Sequence, residues 1–244
     1  ALYIGAEDIR RKFLQARINR VLHAATPPNP ADLTLLRFLG DPESYFGYFQ
    51  HLVHKTPGIL VTGDITPTYS SLPEAGFRHI RNGVTGRGFS LRVVFSMRDP
   101  VERCISAARF DLRNAGVMRT PETEIRHLGE SFLSERYQIR SRYDQTLRNL
   151  EKVFAPDQVH CLFYEELFCE ESLRKICDFL PIPYVVTDFT HRVNESRTAH
   201  EIPLELRTAI ARFYRPVYDA VMQRFGPERI KSLWPSCALL DQTP

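Results

Sequence analysis

Lysine is scarce in this chain: of 32 basic residues only five are lysines, Lys12, Lys55, Lys152, Lys175 and Lys231. Its cations are therefore mostly planar guanidinium forks, which match two oxygens of a phosphate or sulfate as an ammonium group cannot. The bias is compatible with an anionic ligand, and a genome rich in G and C produces the same bias. A net charge of only +3 argues against a protein that coats nucleic acid. Cysteine is also sparse. Cys104, Cys161, Cys169, Cys177 and Cys237 form no C-x-x-C pair and no zinc spacing. Their odd number and apolar neighbourhoods predict reduced, mostly buried thiols and a cytoplasmic location. No apolar run reaches the ~18 residues of a transmembrane helix, and no stretch reads as a secretory signal. Glycine-rich NGVTGRG (82–88) follows no strand and lacks G-K-[ST], so it predicts a plain turn. That absence, with no evident magnesium site, disfavours a nucleoside-triphosphate kinase.

What is present is an ordinary globular composition, 43% hydrophobic and 25% charged, over 244 residues. The length suits one large domain or two small ones. The most informative stretch is Ser90–Gly116. Leu91, Val93, Val94 and Phe95 predict a short buried strand. Arg98-Asp99-Pro100 ends it, because proline cannot join a ladder but suits the first turn of a helix. Val101, Ile105, Ala108 and Leu112 then share one helical face. An arginine at a strand end, directly before a helix, sits where open α/β sheets bind ligands and where free N–H groups favour anions. Ser106, eight residues after Arg98, can offer a hydroxyl to the same region. The alternative is a structural ion pair of Arg98 with Asp99 or Glu102.

Elsewhere, residues 7–24 predict an amphipathic helix, and TPPNPAD (26–32) a loop in which Asn29 or Asp32 caps the next helix. PESYFGYFQHLVH (42–54) predicts a helix that packs Tyr45, Phe46 and Phe49 inward, or lines an acceptor pocket with them. Ile59-Leu60-Val61 predicts a second buried strand, with Asp64 leaving its carboxyl end. A long helical pattern covers residues 131–155, and VHCLFY (159–164) predicts a further strand. Glu165 and Glu166 are expected to start the helix after it. LELRTAIARFYRPVYDAVMQRFG (204–226) predicts one amphipathic helix, and Trp234 is expected to pack the carboxyl-terminal tail.

The pattern R-D-P-x-x-R-x-x-S, at Arg98 to Ser106, resembles the 3′-phosphate element of sulfotransferases that use 3′-phosphoadenosine 5′-phosphosulfate (PAPS). Asp64, Thr66, Pro67 and Tyr69 are similar to that family's E/D-x-T-P-x-Y segment. Ile65 stands where several members have a lysine, so that lysine's role has no counterpart here. The order of elements from residue 42 to 235 resembles the family as well. The resemblance implies an α/β, P-loop NTPase-like three-layer fold with a central, mostly parallel sheet flanked by helices. It further implies a single sulfotransferase-like domain over residues 1–244.

In function it implies transfer of a sulfuryl group from PAPS to a hydroxyl or amine of a carbohydrate, lipid or small metabolite, leaving adenosine 3′,5′-bisphosphate (PAP). No metal is needed, and the partner is a small-molecule or glycan acceptor rather than nucleic acid. Arg98 and Ser106 would hold the 3′-phosphate. Arg197, in the polar segment 191–203, would close over the donor, with Arg192, Asn194 and Ser196 as neighbours. Asp64 is the candidate base, with His23, Glu43, His51 and His54 as rivals. The family's K-x-G-T-T loop for the 5′-phosphosulfate has no match in the chain. It is expected to precede Ala1, with Ala1-Leu2-Tyr3 opening the helix that follows it. A non-catalytic nucleotide-binding relative without that loop is the alternative.

Overall fold

The structure is a computed structural model that describes residues 14–16, 18, 19, 21–23, 27, 29–190 and 200–241. Its helices are α1 (Pro30–Gly40), α2 (Glu43–Lys55), α3 (Glu74–Thr85), α4 (Pro100–Asn114), α5 (Pro121–Ser131), α6 (Glu135–Gln138), α7 (Tyr143–Val153), α8 (Tyr164–Leu167), α9 (Glu170–Phe179), α10 (Leu204–Phe213), α11 (Arg215–Phe225) and α12 (Pro227–Leu233). The strands are β1 (Val93–Met97) and β2 (Val159–Phe163). The chain divides into two compact units: one of residues up to Val93 with Asn149–Val159, the other of Val94–Arg148 with His160 onward.

In the first unit the described residues from 14 to 22 are helical, as the apolar spacing predicts. Asn29 caps α1 by accepting from the Asp32 N–H at 2.8 Å, with Pro30 at the first helical position. The aromatics of α2 pack as predicted. Phe46 is buried, and Tyr45 meets Phe38, Phe46 and Phe49 edge-on with ring centroids 5.0–5.3 Å apart. Gly83 of α3 lies against the Phe46 ring, leaving no room for a Cβ.

The second buried strand is a correction. Residues 59–63 join no ladder, and Leu60 and Ile65 are 82% and 100% exposed. Gly58, at φ 84°, and Gly63 bracket this run. Three apolar residues supply strand propensity, but only a pairing partner makes a strand.

In the second unit β1 and β2 form a small parallel sheet, joined through a helical crossover. β1 is buried on one face only: Phe95 and Met97 point inward while Val94 is exposed, so the predicted buried strand is half-buried. Helix α4 buries the predicted stripe of Val101, Ile105, Ala108 and Leu112. Two predicted helices are interrupted. The pattern at 131–155 breaks where Ser134 takes extended backbone (φ −68°, ψ 149°), gives the single turn of α6, and resumes as α7 at Tyr143. The pattern at 204–226 breaks at Tyr214, just ahead of Pro216, which cannot donate the helical hydrogen bond. Trp234 is fully buried.

No helix among the described residues is long and apolar enough to cross a membrane. All five cysteines are free: Cys104 and Cys237 are buried, whereas Cys169 is exposed, against expectation. Burial pushes the Cys104 thiol up to about 12, which leaves it inert.

Candidate functional site

Arg98 directly follows β1, and the chain turns there into α4. The turn is fixed from several sides by Asp99, which is 1% exposed. Its Oδ1 accepts from the Val101 N–H at 2.9 Å and from the Tyr218 hydroxyl at 2.7 Å; its Oδ2 accepts from the Ser236 N–H at 3.1 Å. Burial and the Asp99 charge both push the Tyr218 phenol up, so it stays a donor. The Asp99 N–H donates to Glu165 Oε1 at 3.0 Å, and Trp234 Nε1 donates to Glu165 Oε2 at 3.1 Å. Glu165 stands in the first turn of α8, as expected, and in addition ties three elements together. Glu166 pairs with Arg229 at 2.7 Å.

Held by this network, the half-buried Arg98 places its guanidinium over the Tyr164 ring, 4.4 Å from the centroid. No carboxylate pairs with it among the described residues. Asp99 is engaged as above, and Glu102 binds Arg207 at 2.6 Å, so the ion pairs considered from sequence do not form. Arg103 donates through Nε to the Arg140 carbonyl at 2.8 Å. Ser106 is exposed on α4. A cation without a carboxylate partner among the described residues, next to a helix start, suits an oxyanion.

Residues 89–200 match the sulfotransferase domain family. This stretch belongs to that family. The sulfotransferase segment thus includes β1, Arg98, Ser106, β2 and Tyr164. A sulfotransferase from Alicyclobacillus acidocaldarius is similar in structure at 16% identity, covering 73% of this chain and 70% of its own, with a TM-score of 0.53. The sulfotransferase domain from the curacin biosynthetic pathway is 18% identical over 91% of this chain and 79% of its own, with a TM-score of 0.42. The likeness to the first supports a P-loop-like α/β fold. No curated protein matches the chain in sequence.

Asp64 lies in the other compact unit. Its Oδ1 accepts from Thr66 Oγ1 at 2.7 Å, and its Oδ2 from the hydroxyls of Tyr69 at 2.6 Å and Tyr45 at 2.9 Å. The two tyrosine hydroxyls are 2.5 Å apart. Partial burial opposes ionisation of Asp64, but the three hydroxyl donors outweigh it and lower its pKa. Burial is the chief cause that pushes both tyrosines up.

Among the rival bases, Glu43 pairs with Arg87 at 2.8 Å and His54 Nδ1 lies 2.7 Å from the Gln50 carbonyl; His23 and His51 are exposed. Arg197, Arg192, Asn194 and Ser196 lie outside the described residues. Among the described residues no three His, Cys, Asp or Glu side chains gather as metal ligands.

Sequence reasoning missed Tyr164, Glu165, Tyr218 and Trp234 as supports of the site. The FYEEL run at the end of β2 was the signal available, because it ends a strand just as Arg98 does.

Proposed function

We propose that the chain transfers a sulfuryl group from PAPS to a hydroxyl or amine of a carbohydrate, lipid or small metabolite. The observation that supports this most is Arg98: a strand-end arginine within the sulfotransferase segment, without a carboxylate partner among the described residues. In this reading Arg98 and Ser106 bind the 3′-phosphate, the guanidinium with its paired N–H groups and the serine with its hydroxyl. PAPS supplies an activated sulfuryl group. Asp64, ionised at neutral pH, accepts the proton that the acceptor loses as its oxygen or nitrogen bonds to sulfur. Its three hydroxyl donors make it a weaker base than a free carboxylate, and they aim it. The chemistry needs positioning and charge stabilisation more than a metal.

Incubation with PAPS and a panel of hydroxyl and amine acceptors tests the reading. It predicts release of PAP in step with sulfated acceptor, and turnover that persists in a chelator. The second reading is a nucleotide-binding relative without catalysis. It predicts PAP binding with no turnover on any acceptor.

A further inference from the structure

We propose that the surface around Asp64 selects a neutral acceptor with an apolar body and turns anionic acceptors away. This narrows, and rests on, the reading of Asp64 as the base that serves sulfuryl transfer. In that step the acceptor oxygen bonds to sulfur, the bond from sulfur to the 5′-phosphate oxygen breaks, and the acceptor proton passes to Asp64.

Between Lys55 and Glu74 the chain carries one charged side chain, Asp64. Thr66, Tyr69 and Tyr45 each donate a hydroxyl to it, and no cation pairs with it among the described residues. Against partial burial, these donors keep the carboxylate ionised, yet they leave its negative charge in place. Lys55 stands at the far end of α2, about 15 Å from Tyr45 by helical rise. Arg87 lies over the Phe46 ring at 5.3 Å, but Glu43 already pairs with it at 2.8 Å. An acceptor that bears a carboxylate, sulfate or phosphate therefore brings its charge toward a like charge, and such repulsion is stronger beside protein than in bulk water.

Behind its hydroxyl, the surface that Tyr45 brings to Asp64 is apolar. Its ring meets Phe38 at 5.3 Å and Phe49 at 5.0 Å. Tyr48 extends the same group, 5.5 Å from Phe38 and 5.4 Å from Phe49, and is 38% exposed. Tyr45, Phe38 and Phe49 are half-buried, so the row of rings keeps an open side. On the loop itself Ile65, the residue after the carboxylate, is fully exposed. A lone exposed isoleucine is ordinary on most surfaces. Here it adjoins the one charged group of the loop, and the rings adjoin that group from α2. A molecule with an alkyl or aryl body can bury that body there while its hydroxyl reaches Asp64.

Steady-state sulfation with PAPS tests this on acceptors that differ only in charge. The probes are ω-hydroxydecanoate against its methyl ester and p-hydroxyphenylpropanoate against its methyl ester, which cover an aliphatic alcohol and a phenol. For whichever hydroxyl is sulfated, wild type should favour the ester about 3- to 30-fold in kcat/KM, chiefly through KM. The methyl ester of ω-hydroxyhexanoate, with its shorter body, should show a KM about 10- to 100-fold above that of the decanoate ester. Ile65→Lys, a change at a fully exposed position that leaves the packing intact, should narrow the ester preference at least about threefold by lowering KM for the acids. Ile65→Gln, which is uncharged, should keep the wild-type preference. Equal use of ester and acid, a preference for the acids, or the same narrowing by both variants each overturn the proposal and leave sulfuryl transfer standing. Sulfation of sugars or amines without either ester does the same. If no hydroxyl or amine acceptor is sulfated at all, sulfuryl transfer itself falls, and this inference falls with it.

Discussion

The Tyr218 hydroxyl donates to the Asp99 carboxylate at 2.7 Å, and both residues are essentially excluded from solvent. They are far apart in sequence, and their contact pins the turn that carries Arg98 to α11. The carboxylate also accepts two backbone N–H groups, from Val101 and Ser236, so its removal strands three donors at once.

Asp99→Ala should therefore destabilise the protein by about 3–5 kcal/mol, combining a lost helix cap with buried unpaired donors. Urea denaturation followed by the fluorescence of Trp234, the single tryptophan, measures this. A loss below about 1 kcal/mol would mean that water replaces the carboxylate at little cost.

A second buried carboxylate gives a similar expectation. Glu124, 1% exposed, receives Arg109 Nε at 3.1 Å and Arg119 Nε at 2.9 Å, with His200 Nδ1 at 3.5 Å. Glu124→Ala leaves two arginines poorly solvated and should cost about 3–5 kcal/mol. Chemical denaturation of variant and wild type decides it, and near-equal midpoints with equal slopes would contradict it.

What was legible in the sequence was local. Arg98-Asp99-Pro100 marks a strand-to-helix boundary because proline constrains its own neighbours, and the stripe from Val101 to Leu112 follows from helical period alone. Asn29 caps α1 for the same local reason. What was not legible depends on distant partners. Ile59-Leu60-Val61 has strand composition, but pairing is decided elsewhere in the chain. Glu165 resembles any acidic helix start until the Asp99 N–H and the Trp234 indole are brought to it. The hold of Tyr164 on Arg98 is marked in the sequence only by the strand-end position that the two residues share.

One packing prediction runs against intrinsic propensity. Gly→Ala within a helix commonly gains about 1 kcal/mol. At Gly83 the added methyl meets the buried Phe46 ring, which is boxed in by Tyr45 and His79. Gly83→Ala should therefore lose about 1–3 kcal/mol through overpacking. A rise in melting temperature would show that the ring moves aside freely.

The Asp64 cluster has a pH signature. Its pKa is lowered in the folded chain, so the stability it contributes is fully present above the unfolded value, about 3.9. That contribution is lost as pH falls through the lower folded value. The stability difference between wild type and Asp64→Asn should thus be constant at neutral pH and shrink on acidification below about pH 4. Thermal melts of both proteins between about pH 2 and 7 check this. A difference that stays flat across the range would mean that the hydroxyls of Thr66, Tyr69 and Tyr45 do not favour the ionised form.

The most direct test of the central claim is calorimetric titration of wild type and Arg98→Ala with PAP and with AMP at one salt concentration. The account predicts that wild type binds PAP much more tightly than AMP. Arg98→Ala should lose about 2–4 kcal/mol, roughly 30- to 900-fold, of PAP affinity with little change for AMP. Equal affinity for the two nucleotides, or wild-type PAP affinity in Arg98→Ala, would contradict the assignment of Arg98 to the 3′-phosphate.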